Sequence, residues 1–177
     1  STLKILLNSE KNFYPNGFND SSGKLGTCLM DHISLCKFFS IPNSNELPNI
    51  SIENAPLSGA GSFFIPFGSQ LPTNSKIDFI RGYGIWGAIN RLGIPEFLQK
   101  NKNESTGFLI SHGEVLPNAD NKVELSNKCD KWGIPIPNIQ FSWGENERKM
   151  AEHMKITMGE AIDAANGEIK DIRDLIN

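Results

Sequence analysis

An α+β fold, a mainly antiparallel β-sheet with helices packed on one face, is predicted for this chain by three features of its sequence. Residues 113–117 and 122–125 each alternate in side-chain character, as half-buried strands do, and Pro117, Asn118, Asp120 and Asn121 between them supply the fixed and left-handed backbone angles of a reversal. After Phe141 the period changes. Ser142 and Glu145 have the spacing of a capping box, and Met150, Met154, Met158, Ala161 and Ala165 recur at helical intervals until Asn166-Gly167 offers a left-handed stop. The strand candidates, finally, are joined by connections mostly too short for parallel crossovers, so sheet neighbours run antiparallel. At 177 residues and 38% hydrophobic, the chain suffices for one domain with a core of modest richness.

Taken in order, Leu3, Ile5, Leu6 and Leu7 open the chain in a helix-like pattern, and Tyr14-Pro15-Asn16-Gly17 predicts a turn. A short helix is expected over 25–31 and a strand over 33–39, followed by a polar, proline-punctuated surface loop through Pro48. Residues 62–67, 76–84 and 106–115 are short, partly aromatic or β-branched, and bounded by Gly, Pro, Asn or Ser, which predicts three strands. Pro95 leaves 89–99 unassigned, because it interrupts an otherwise continuous helical pattern. The methionine stripe of the last helix is read as its core-facing side. No internal repeat is present.

Charge and composition exclude several classes of function. The formal charge is −3 and the basic residues are scattered from Lys4 to Arg173, so there is no electrostatic footprint for nucleic acid. No apolar run reaches the roughly 20 residues that cross a bilayer, and the first residues lack the pattern of a signal peptide, so the chain reads as soluble, with the choice of cytoplasm or periplasm open. Cys28, Cys36 and Cys129 have neither the close pairs nor the neighbouring histidines of a zinc site and are read as buried free thiols.

Two patterns carry candidate chemistry. Gly82-Tyr83-Gly84-Ile85-Trp86-Gly87 matches G-x-G-x-x-G, with Glu104 at about the distance where a dinucleotide fold places its ribose-binding acid. Such a fingerprint follows a buried strand and opens a helix, whereas residues 76–81 alternate charged and apolar side chains and Glu104 sits in a polar stretch, so a phosphate loop is disfavoured. The glycines instead allow close approach of a flat ligand or of another backbone. Arg81, Tyr83 and Trp86 beside them offer a donor fork and two flat rings suited to a sugar or polyol; the plainer alternative is a glycine-rich sheet segment with packed aromatics. His112 and Glu114 share a strand face, as either a proton-accepting pair or an exposed one. His32 is expected at a helix end, where a cation suits the dipole, and His153 is expected to be solvated. Neither a nucleophile with its base nor a metal cluster can be assembled.

Several segments also carry a resemblance. Gly113-Glu114-Val115-Leu116-Pro117, then Asn121, Val123 and Leu125, then Asp130 with Trp132-Gly133-Ile134-Pro135, then Glu145-Asn146-Glu147-Arg148 with Met150, resemble in order the middle portion of the glucose–methanol–choline (GMC) oxidoreductases, FAD enzymes that oxidise alcohols and sugars. Residues 1–9 resemble the close of that family's second signature. Asn19-Asp20-Ser21-Ser22-Gly23 with Leu25-Gly26 and Leu29-Met30-Asp31-His32 is similar to the segment after it, and residues 78–84 are similar to a further strand. The resemblance implies that the chain is a single substrate-binding domain, with 1–9 a remnant of the preceding flavin-domain segment, cut from a longer FAD-dependent enzyme. It implies also that the FAD fingerprint and the catalytic histidine lie elsewhere in the parent, so that the piece alone neither holds the flavin nor catalyses. Its partners would be a small alcohol or sugar-like substrate and the remaining flavin domain, with Arg81, Tyr83, Trp86 and His112 lining the substrate side. The rival expectation is a free-standing carbohydrate- or peptide-binding module without redox activity.

Overall fold

The computed structural model describes residues 2–9, 21–42, 62–68, 77–89 and 104–170. The expected turn at 14–17, most of the loop after Ile41 and nearly all of the unassigned stretch 89–99 lie outside the described residues. Two compact units are present, one formed by residues 1–31 and 115–144 and the other by 32–114 and 145–177. The described elements are mostly antiparallel strands with two helices, the α+β class that the sequence predicts. Among the described residues no helix is long and apolar enough to cross a membrane.

In the first unit, helix α1 (Thr2–Asn8) packs on a two-stranded hairpin of β5 (Lys122–Cys129) and β6 (Pro135–Gln140). An isolated hairpin is marginal in water, and Leu7 and Val123 supply buried apolar surface in this unit. The reversal is built on Asp130, whose Oδ1 accepts from the amides of Trp132 and Ile134, both at 3.0 Å, while Gly133 adopts φ 76°. Lys4 donates to Asp130 Oδ2 at 3.3 Å. Those amides, first that of Ile134, hold the Asp130 carboxyl below its usual range, and Lys4 adds to the effect. This pairing corrects the expected one: residues 122–125 pair with β6 and not with 113–117, because Asp130 and Gly133 make the tighter reversal. The helix expected over 25–31 is a pair of turns, since Gly26 and Cys28 take positive φ and Val123 donates to the Gly26 carbonyl.

The second unit is a five-stranded sheet crossed by one long helix. Strands β1 (Ile33–Pro42), β2 (Ser62–Gly68), β3 (Gly82–Ile89), β4 (Glu104–Gly113) and β7 (Glu168–Lys170) lie in the order β2-β3-β4-β1-β7, every pair antiparallel. The third strand begins at Gly82, six residues later than expected. Helix α2 (Glu145–Ala164) packs against β1, β3, β4 and β7. Met150, Met154, Met158 and Ile162 are fully or almost fully buried at i, i+4 spacing, so the expected stripe is right for its methionines and continues at Ile162 instead of the exposed Ala161. They meet Ile33, Phe39, Tyr83, Ile85 and Leu109 in one core. Gly113 is what lets the helix sit down: a Cβ there would collide with Met150 and Met154.

Both ends of α2 have physical causes. Ser142 is not its cap, because its backbone N–H and C=O are both held by the buried side chain of Asn121, and the helix starts at Glu145 with Glu145 and Glu147 in its first turn. At the other end Asn166 takes φ 53°, its N–H bonds the Asp163 carbonyl at 2.9 Å and Gly167 N–H bonds the Ile162 carbonyl at 2.8 Å. These are the two bonds of a Schellman stop, at the residues the sequence predicts.

Candidate functional site

The registers of the second unit divide its sheet into two unlike faces. Ile33, Leu35, Phe39, Tyr83, Ile85, Leu109 and Gly113 alternate onto the face beneath α2. On the opposite face, cross-strand rows run Ser34–His112–Gly84, Cys36–Ile110–Trp86 and Phe38–Phe108–Ala88, with Phe64 of β2 opposite Trp86. Trp86 and Phe64 are 37% and 66% exposed, so this face is apolar and aromatic without being closed. Phe108 meets Trp86 edge-on at 5.2 Å between centroids.

A hollow of about 340 Å³ opens on the sheet where β3 begins and β4 ends, bordered by His32, Phe64, Gly82, Gly84, His112 and Glu114. Gly82 and Gly84 border it with backbone, and the Phe64 ring lies over Gly84 in the space a Cβ would take, so that ring forms the surface there. One wall is His112, whose ring is nearly parallel to Trp86 (12°, centroids 6.5 Å apart) and meets His32 edge-on at 6.1 Å. Ser34 Oγ is 2.8 Å from His112 Nδ1. Of the two readings of His112 and Glu114, the exposed one fits, since both side chains are exposed and each meets another partner. His112 pairs with Ser34, and Glu114 faces Arg81 at 3.8 Å.

The backbone around the hollow is firmly set. Asn146 of α2 accepts from the Ile80 amide at 2.9 Å and donates to its carbonyl at 3.3 Å, and the Glu114 amide bonds the Gly82 carbonyl at 3.0 Å. Between these anchors Arg81 takes φ 69°, a conformation few side chains adopt without support. The strained residue stands beside Gly82 and its side chain is exposed.

Of the four sequence candidates, Trp86 and His112 come together and Arg81 reaches the rim through Glu114. Tyr83 borders the hollow by position only. Its side chain lies on the helix face, where the hydroxyl is 2.6 Å from His153 Nδ1 and donates to Thr157 at 3.1 Å, under the rings of Phe67 and Phe79. Burial chiefly pushes its pKa up and Glu160 adds to this, against the Thr157 bond. His153 is therefore a half-buried partner of Tyr83 and not a solvated side chain. His32 ends no helix, since residues 21–31 form turns and no helix, and it stands in the hollow's border instead. The three cysteines are free but exposed, contrary to the expected burial, and partial burial raises the Cys36 thiol pKa. Ser34, His32 and Phe64 were missed because only the β1–β4 and β2–β3 registers bring them here.

The glycine pattern does not fit a dinucleotide. Residues 82–87 lie inside β3, paired on both sides by β2 and β4, so their amides serve the ladder, and the strand continues beyond them to Ile89 where a phosphate loop would open a helix. The described residues of this motif offer no cradle for the FAD pyrophosphate. Among the described residues no group of three or more His, Cys, Asp or Glu side chains has the geometry to hold a metal ion. No protein-family model matches the chain, and no curated protein matches it. The site is consequently described by its geometry: a flat aromatic and imidazole wall, a glycine border and a rim in which arginine and glutamate balance each other.

Proposed function

We propose that this chain is the substrate-binding domain of an FAD-dependent oxidoreductase of the GMC type, acting on CH–OH groups of an alcohol or sugar and inactive by itself. One observation carries the reading: the sheet buries one face under α2 and turns the other, with Trp86, His112 and a glycine-bordered hollow, outward. Such a face supports a small hydroxylated molecule by ring contact and hydrogen bonds, while balanced rim charge favours a neutral ligand over an anion. The ordered sequence resemblance supports the same reading. In it this chain contributes orientation and exclusion of water, and the flavin site and the proton-accepting base belong to the rest of the polypeptide.

The test is to extend the chain at both ends by its own coding sequence. The extended protein is expected to contain a strand followed by G-x-G-x-x-G and a helix before Ser1, and a histidine-bearing segment after Asn177. It should purify with flavin absorbance that bleaches anaerobically when an oxidisable alcohol or sugar is added. Flanks without these segments, or a colourless product, would end the flavoenzyme reading. Sugar binding by the 177-residue chain strong enough for calorimetry would instead support a free-standing recognition module.

A further inference from the structure

The side chain of Ser34 stands on the outer sheet face within hydrogen-bond reach of the His112 ring. It sits directly opposite His112 in the β1–β4 register, with its Oγ 2.8 Å from Nδ1, and Trp86 lies nearly parallel to the same ring at 12°. An exposed histidine on a strand ordinarily turns about χ2, because the terminal torsion is broad and nearly two-fold. Here Nδ1 is bonded to Ser34 and Trp86 lies beside the ring, so a half-turn about χ2, which keeps the ring plane, gives up the Ser34 contact. Nε2 lies across the ring from Nδ1, and no described group bonds to it, while His112 borders the hollow.

We propose that Ser34 is a positioning residue that holds His112 with Nε2 directed at the hollow, where Nε2 hydrogen-bonds a hydroxyl of a neutral, ring-shaped polyol resting against the Phe64 ring that covers Gly84. The ligand class rests on the substrate-domain reading given above; the positioning rests on geometry alone. A neutral hydroxyl is the matching group because either tautomer of a neutral imidazole finds a partner in it, and because Arg81 is already directed to Glu114. Phe64 supports this assignment, since its ring, packed over Gly84, gives the hollow beside His112 a flat apolar surface for one face of the ligand.

The experiment uses the 177-residue chain labelled with ¹⁵N in its histidines, with His112 assigned by its loss in His112→Gln. Without ligand, the wild type should show steady nuclear Overhauser contacts between the His112 and Trp86 rings. Ser34→Ala should lose them, and Ser34→Thr, which keeps the hydroxyl on a strand-compatible side chain, should restore them. D-glucose at concentrations that detect binding too weak for calorimetry should then move the Nε2 resonance in the wild type and the threonine variant. In Ser34→Ala the apparent affinity should fall roughly threefold to tenfold, the worth of one ordered hydrogen bond. Ring contacts unchanged in Ser34→Ala would overturn the positioning role whatever glucose does. Ring contacts that depend on Ser34 with an Nε2 resonance indifferent to glucose would overturn the ligand assignment and leave Ser34 a structural residue.

Discussion

Tyr83→Phe separates scaffold from site. The hydroxyl it removes makes a 2.6 Å contact with His153 Nδ1 and a 3.1 Å bond to Thr157 Oγ1, beneath an aromatic cover. Two bonds of about 0.5–1.5 kcal/mol each are lost, but Thr157 already stands 3.3 Å from His153 Nδ1 and can take over one of them. The expected net loss is about 0.5–1.5 kcal/mol, which in urea moves the unfolding midpoint down by roughly 0.3–0.8 M for a unit of this size. Circular dichroism of α2 would follow it. The pH dependence supplies a second signature. Because the folded state raises the Tyr83 pKa, the unfolded chain releases the phenolic proton first, so this stability is complete below about pH 10 and is lost as pH rises through the folded value. Tyr83→Phe should flatten that alkaline descent. An unchanged midpoint, or intact stability with a lost response of Trp86 and His112 to glucose, would refute the reasoning and make Tyr83 a ligand contact.

Other perturbations follow from single observations. Ser111 is fully buried beneath α2 with no hydrogen-bond partner for its hydroxyl among the described residues, so Ser111→Ala should raise stability by about 1 kcal/mol; a loss in thermal unfolding would show a hidden partner. Asn166 closes α2 at φ 53°, so Asn166→Gly should stabilise by about 0.5–1 kcal/mol while Asn166→Ala destabilises, an ordering checked by the same melt. The Asp130 carboxyl has a lowered folded pKa, so its stabilising effect is present above the ordinary carboxylate range and lost as pH falls through the folded value. Asp130→Asn should therefore flatten the acid limb of unfolding monitored at Trp132, and an unchanged limb would contradict the Asp130-centred turn.

The sequence revealed most where a single local cause acts. The α2 stripe and its Asn166 stop are short-range patterns, and the structure realises both. Glycines at 82, 84 and 87 pointed to close approach of a flat ligand or another backbone; the Phe108 carbonyl makes that approach at Gly87, whereas at Gly84 the space is taken by the Phe64 side chain. What remained hidden depends on partners far along the chain. Ser142 has the form of a cap, yet Asn121 claims its backbone. Residues 113–117 and 122–125 read as partners, yet Asp130 and Gly133 turn the second of them toward β6. Within the site, Trp86 and His112 meet because β3 and β4 are neighbours, but nothing in either segment names Ser34, 78 residues before His112, as the group that holds the ring. Tyr83 shows the converse limit: alternation places it on a face, and only the docking of α2 tells which face is buried.

The most direct measurement is a crystal structure of the flavin-bearing polypeptide soaked anaerobically with a substrate alcohol or sugar. The substrate is expected against the Phe64 ring that covers Gly84, within hydrogen-bond distance of His112 Nε2 and beside Trp86. A substrate bound elsewhere, with this sheet face remote from it, would contradict the claim that β3 and β4 form the substrate wall.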